Sequence, residues 1–137
     1  MVHRGCALKL LPLIAMGLAE KRVVLKADPE SFSILESLGD KILLEHASDD
    51  DFATEFLDNI MAIKIVDSFD NAVSHINVHG SKHTELIITE DKELAERFMN
   101  IVDAAGVYWN ASTRFADGFR YGFGAEIGVC FIYSHIA

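Results

Sequence analysis

The sequence predicts an α/β domain built on a largely parallel sheet. Three observations carry this. From about residue 60 onward, short β-branched apolar runs alternate with amphipathic helical stretches. The helices are opened by capping residues and followed by glycines. No internal repeat and no low-complexity linker interrupts the alternation.

The elements read as follows. "MVHRGCALKLLPLIAMGLAEKR" has the basic start and apolar run of a signal peptide. Lys9 and Pro12 break that run, however, and Leu10, Leu13, Ile14 and Leu18 recur at helical spacing, so an amphipathic helix is the better reading. "RVVLKAD" is a short strand closed by Asp28-Pro29, and "ESFSILESL" a short helix before Gly39. "SDDDF" reads as a solvated acidic turn and "IMAIKIVD" as a strand. In "SFDNAVSHINVHG", Ser68 caps a helix with Ala72, Val73 and Ile76 on its apolar face, and Gly80 closes it in the left-handed conformation usual there. "ELIITE" is the next strand. "DKELAERFMNIVDAAG" is the clearest helix, with Leu94, Phe98, Ile101, Val102 and Ala105 on one stripe and Gly106 at its end; "VYWN" is again a strand.

Composition narrows the function. Half of the 137 residues are hydrophobic and 24% are charged, as expected of a folded domain. A formal net charge of -9 repels phosphate backbones and argues against nucleic acid. No run is long enough to span a membrane. Cys6 and Cys130 are too few and too far apart for a disulfide framework or zinc motif; both read as small buried hydrophobes in a reducing, cytoplasmic setting.

His75, His79 and His83 stand four apart, which on one helix would suit a metal. Gly80 ends the helix before His83, so the three are expected not to converge. The reading is one helix-face histidine, one at the helix C-terminus and one in the loop, with no metal site.

The same stretch carries a resemblance. "VDSFDNAVSHINVHGSKHTELI" resembles the signature of the glutamate-5-semialdehyde dehydrogenases, or γ-glutamyl phosphate reductases, at Val66, Ala72, His75, His79-Gly80-Ser81, His83-Thr84-Glu85 and Ile87. "VDAAGVYWNASTRFADGFRYGFGAEIGV" is similar to the family's segment near the C-terminus. The resemblance covers most of residues 2–129 and is weakest between about 27 and 50. It divides the chain into a catalytic-domain segment, 1–129, and a divergent tail, 130–137, where "CFIYSHIA" departs abruptly from the family. A truncated or mis-joined product, or an alternative C-terminus, would each give that break.

The resemblance implies an aldehyde dehydrogenase-like fold and the NADPH-dependent reduction of γ-glutamyl phosphate to glutamate-5-semialdehyde in proline biosynthesis. The family uses a cysteine nucleophile just before a Leu-Val-His sequence. Val2-His3 looks like the end of that sequence, so the nucleophile and the dinucleotide-binding domain are expected to be missing and no catalytic residue is assigned. Glu55, in "FATEFLD", matches the family glutamate that accepts from the cofactor ribose. Arg114, in "NASTRF", is the candidate for the substrate's carboxylate or phosphate, because a guanidinium offers either one two parallel hydrogen bonds. Asn110, Ser112 and Thr113 stand beside it as neutral donors at a probable strand end. Arg120 reads as a surface charge, and Gly122 and Gly124 as turn residues. Two classes of function follow: a reductase segment that works only with the missing parts, or a non-catalytic module binding a full-length reductase subunit. In both, uncovered apolar surface on "IMAIKIV" and "VYWN" favours association with such subunits or self-association.

Overall fold

The computed structural model describes residues 1–124. Cys130 and the divergent tail lie outside the described residues. The chain forms two units, Met1–Ser81 and Lys82–Ala137. Among the described residues all strand pairings are parallel, as the alternation of strands and helices requires.

In the first unit, β1 (Val2–His3) leads directly into α1 (Arg4–Ala19). β2 (Val24–Ala27), β3 (Leu43–His46) and β4 (Ile60–Ile63) form one sheet in the order β3-β2-β4. β5 (Ile65–Val66) follows β4 after Lys64 and pairs with β1 instead. The "IMAIKIVD" run is therefore one extended passage serving two ladders. Its first half bonds β2 and its second half β1. α2 (Pro29–Leu35) and a 3-10 segment, Glu36–Lys41, connect β2 to β3. Gly39 sits at φ 56 inside that segment, a conformation glycine adopts without steric cost.

The core of this unit gathers Ala7, Leu11 and Ala15 of α1 with Leu25, Leu35, Ile42, Ile63 and Ile65. Here the structure corrects the sequence reading of α1. The helix buries Ala7, Leu11 and Ala15, whereas Leu10, Leu13 and Ile14 are 38%, 65% and 40% exposed. Two alanines on the inner face bring the α1 backbone close to its neighbours. The larger residues are left outside because nearly every α1 position is apolar, so spacing alone does not pick the face.

Asp28 and the acidic turn hold the unit's edges. Asp28 caps α2 by accepting from the Ser31 N–H at 2.8 Å and accepts from the Ile65 N–H at 3.2 Å. The "SDDDF" aspartates are not all solvated as expected. Asp49–Ala53 is a 3-10 turn in which Asp51 pairs with Lys26 Nζ at 2.8 Å and accepts from the Ser48 N–H and hydroxyl. These hydrogen bonds, the one from Lys26 foremost, hold its carboxyl at about 2. α3 (Phe69–His79) begins at Ser68, whose hydroxyl accepts from the Asn71 N–H, and buries Val73 and Ile76. Gly80 ends it, but with φ -66 and ψ 150. The left-handed exit expected there is absent, because the chain leaves α3 already extended.

In the second unit, β6 (Thr84–Ile87) and β7 (Gly106–Trp109) flank α4 (Lys92–Ile101). Asp91 caps α4, which buries Ala95 and Phe98. Ile101, placed on the buried stripe by its spacing, is 41% exposed. Gly106 opens β7 rather than closing α4, since the helix stops at Ile101. Among the described residues no helix is long and apolar enough to cross a membrane.

Candidate functional site

The strand ends are where ligands collect in parallel α/β sheets. In the second unit, β7 ends at Trp109 and runs into "NASTRF". Asn110 takes φ 49, a left-handed conformation asparagine tolerates better than most residues. Its side-chain Oδ1 accepts from the Thr89 N–H at 3.0 Å and its Nδ2 donates to the Thr89 carbonyl at 2.9 Å. Trp109 Nε1 donates to the same carbonyl at 2.9 Å. Residues 109 and 110 thus lock the end of β7 to the chain leaving β6. Asn110 keeps one amide hydrogen for a ligand.

The turn that follows is equally fixed. The Ser112 hydroxyl accepts from the Arg114 N–H, opening the short 3-10 turn Thr113–Phe115. Phe115 packs edge-on against Tyr108 of β7 and against Tyr121, and the two tyrosine hydroxyls hydrogen-bond to each other. Gly122 and Gly124 both take φ 81, as turn residues do. Ser112, Thr113 and Arg114 are exposed, and the Arg114 guanidinium makes no ion pair among the described residues. The structure brings Asn110, Ser112, Thr113 and Arg114 together on one turn whose backbone is held from three sides. On a pinned backbone an uncommitted guanidinium can grip a carboxylate or phosphate with only its own side chain left to order.

Glu55 belongs to the first unit. It lies in the exposed segment between the Asp49–Ala53 turn and β4, and its carboxylate has no hydrogen-bond partner among the described residues. Such a group is free to accept hydrogen bonds from hydroxyl or N–H donors.

The first unit also holds a cavity of about 360 Å³ that sequence reasoning did not foresee. Arg4, Lys64, Asp67, Asn71, His75 and His79 contribute to its lining. Its polar wall is already committed. Arg4 makes a two-pronged contact with Glu30, Nε to Oε1 at 2.8 Å and Nη2 to Oε2 at 2.9 Å, and approaches Asp67 at 3.6 Å. Asn71 donates to Asp67. Lys64 stands over the Phe52 ring, 4.8 Å from its centre. His3 Nδ1 accepts from the Gly5 N–H, so its Nε2 carries the proton and donates to the Asp67 carbonyl at 3.2 Å. The clue in the sequence was the motif itself: Val66 ends β5, Asp67 follows it, and α3 carries both histidines.

His75 and His79 share a face of α3, with ring centres 4.4 Å apart. Burial above all, then the charge of Lys64 and of His79, pushes the His75 imidazole down to about 4. Among the described residues no three histidine, cysteine, aspartate or glutamate side chains gather as a metal requires. Cys6 is partly buried, and its thiol donates to the His3 carbonyl at 3.1 Å.

The relatives explain the motif. The chain is 55% identical over 120 residues to a probable γ-glutamyl phosphate reductase of Schizosaccharomyces pombe, covering 87% of this chain and 27% of that protein. It is 50% identical over 129 residues to the γ-glutamyl phosphate reductase of a Synechococcus strain, covering 94% of this chain and again 27% of the relative. It is homologous to a segment of γ-glutamyl phosphate reductase. The crystal structure of that reductase from Thermotoga maritima superposes with a TM-score of 0.85 at 40% identity, over 98% of this chain and 31% of that one. The Saccharomyces cerevisiae reductase matches at a TM-score of 0.63 and 38% identity over 84% of this chain and 29% of that one. The described fold is therefore the aldehyde dehydrogenase-like fold of those reductases. The chain spans about 27% of the length of the curated reductases it matches. No family model matches the sequence.

Proposed function

We propose that this chain supplies the substrate-anchoring turn and one cofactor contact of a γ-glutamyl phosphate reductase, acting together with the remainder of such an enzyme. The observation that carries the reading is the 50% identity to those reductases over 94% of the chain. The pinned turn with its uncommitted guanidinium supports it. The reaction in this reading is the reduction of γ-glutamyl phosphate to glutamate-5-semialdehyde in proline biosynthesis, and its setting is the cytoplasm.

Arg114 binds an anionic group of the substrate through two parallel hydrogen bonds. Ser112 and Thr113 add hydroxyl donors beside it, and Asn110 holds the turn to Thr89 while offering its remaining amide hydrogen. Glu55 accepts from the ribose hydroxyls of NADP. When bound, that cofactor supplies the hydride. The contribution of this chain is positioning: a reactive carbonyl held at the right distance is worth far more than one that wanders.

The test is co-expression of the chain with the complementary part of a reductase, followed by NADPH oxidation in the presence of γ-glutamyl phosphate. The chain alone is expected to be inactive and the pair active. Arg114→Lys in the co-expressed chain keeps the charge but loses the fork, so kcat/KM should fall about tenfold or more. A chain that co-purifies with the partner but restores no activity would leave it a non-catalytic binding module.

A further inference from the structure

The outer face of α1 is an apolar feature that the proposed function leaves unused. Leu8, Leu10, Leu13, Ile14 and Met16 are 38 to 78% exposed, although α1 already buries Ala7, Leu11 and Ala15 on its inner face. A helix that is apolar on both sides is one that expects cover on both sides. Gly17 lies on the outer arc, and a Cβ placed there would meet nothing within 4 Å. A second backbone has room to approach.

Charge decides which cover fits. Only two charged residues lie along the middle of this outer face, Lys9 towards its start and Glu20 at the C-cap, where the backbone is still helical. They stand about three turns apart and so point the same way. Neither makes an ion pair among the described residues. A face with a cation at one end, an anion at the other and apolar side chains between is complementary to itself when reversed. A two-fold axis across the middle of α1 sets Lys9 of each copy against Glu20 of the other and Leu13 against Met16.

From this we infer that α1 is a self-association surface, pairing antiparallel with α1 of a second copy of this chain. The contact satisfies the isologous rule that a patch on one subunit meets the same patch on the other. It is one helix long, about 24 Å, so it buries less than the roughly 1,200–2,000 Å² of stable interfaces. The dimer is therefore concentration-dependent and sensitive to salt.

Sedimentation equilibrium of the full chain over a concentration series tests it. A monomer–dimer equilibrium is expected. Leu13→Asp should leave the chain monomeric at concentrations where the parent is dimeric, with an unchanged circular dichroism spectrum, because Leu13 is 65% exposed. Lys9→Glu should weaken the dimer about tenfold, since each dimer then holds two carboxylate pairs in place of two ion pairs. Adding Glu20→Lys to it should restore the parent affinity. That exchange is read independently of Leu13→Asp, so misfolding of the latter would not shelter the inference. A chain that stays monomeric, that associates despite Leu13→Asp, that binds lipid vesicles without dimerising, or whose double charge exchange fails to recover would overturn it.

Discussion

Ser31 shows how much one atom can matter. Its residue is fully buried in α2, its N–H is satisfied by Asp28, and its hydroxyl has no partner among the described residues. A buried hydroxyl without a hydrogen bond carries a desolvation cost that folding never recovers. Ser31→Ala should therefore stabilise the chain by about 1 kcal/mol, read as a higher urea midpoint with an unchanged slope. Arg114 sits at the other extreme, an exposed guanidinium with no ion pair among the described residues. The sequence made Arg114 conspicuous because its neighbours form a recognisable string. It could not reveal that Asn110 spends most of its amide on Thr89, since that contact spans 21 positions. Nor did it distinguish Asp51 from Asp49 and Asp50, because only the fold brings Lys26 alongside.

At the scale of elements, Asp28 joins two. One carboxylate oxygen caps α2, and the other accepts from the Ile65 N–H at the start of β5. Asp28→Ala should cost about 2 kcal/mol, more than an ordinary cap, because a partly buried N–H is orphaned along with the helix end. Chemical unfolding of the variant checks this; a loss under about 0.5 kcal/mol would show that water replaces both contacts. The helices and most strands were legible because capping residues and apolar runs are local signals. β3 was missed: its burial pattern is mostly exposed, so Leu43–His46 carries no strong alternation. The face of α1 was misjudged because alanine, the least conspicuous apolar residue, lines the packed side. Gly80 was assigned its conformation from a preference, while the actual exit depends on where the chain goes next.

For the molecule as a whole, acid acts in two stages. The unfolded His75 titrates near its ordinary value of 6.5 and the folded one near 4. Between these values the unfolded chain binds the extra proton, so stability falls as pH drops from about 6.5 towards 4. Asp51 then contributes below that. Its folded value of about 2 lies under the ordinary 3.8, so the stability it adds is present above about pH 4 and is lost as pH falls towards 2. Melting temperature measured against pH should show both declines. His75→Gln should flatten the upper one and leave the lower one in place. A variant with the same slope between pH 6.5 and 4 would assign that decline to other groups.

The pairing of β1 with β5 has a consequence for how the protein is made. His3 meets the carbonyl of Asp67 across 64 positions of sequence. During synthesis at about 5–20 residues per second, β1 emerges from the ribosome roughly 3–13 s before the strand it must bond. For those seconds the nascent chain presents α1, apolar on both faces, with β2 and β3 to dock against but without β5, the partner of β1. The interval is long compared with the microseconds in which such a helix forms, so it is the natural window for chaperone capture.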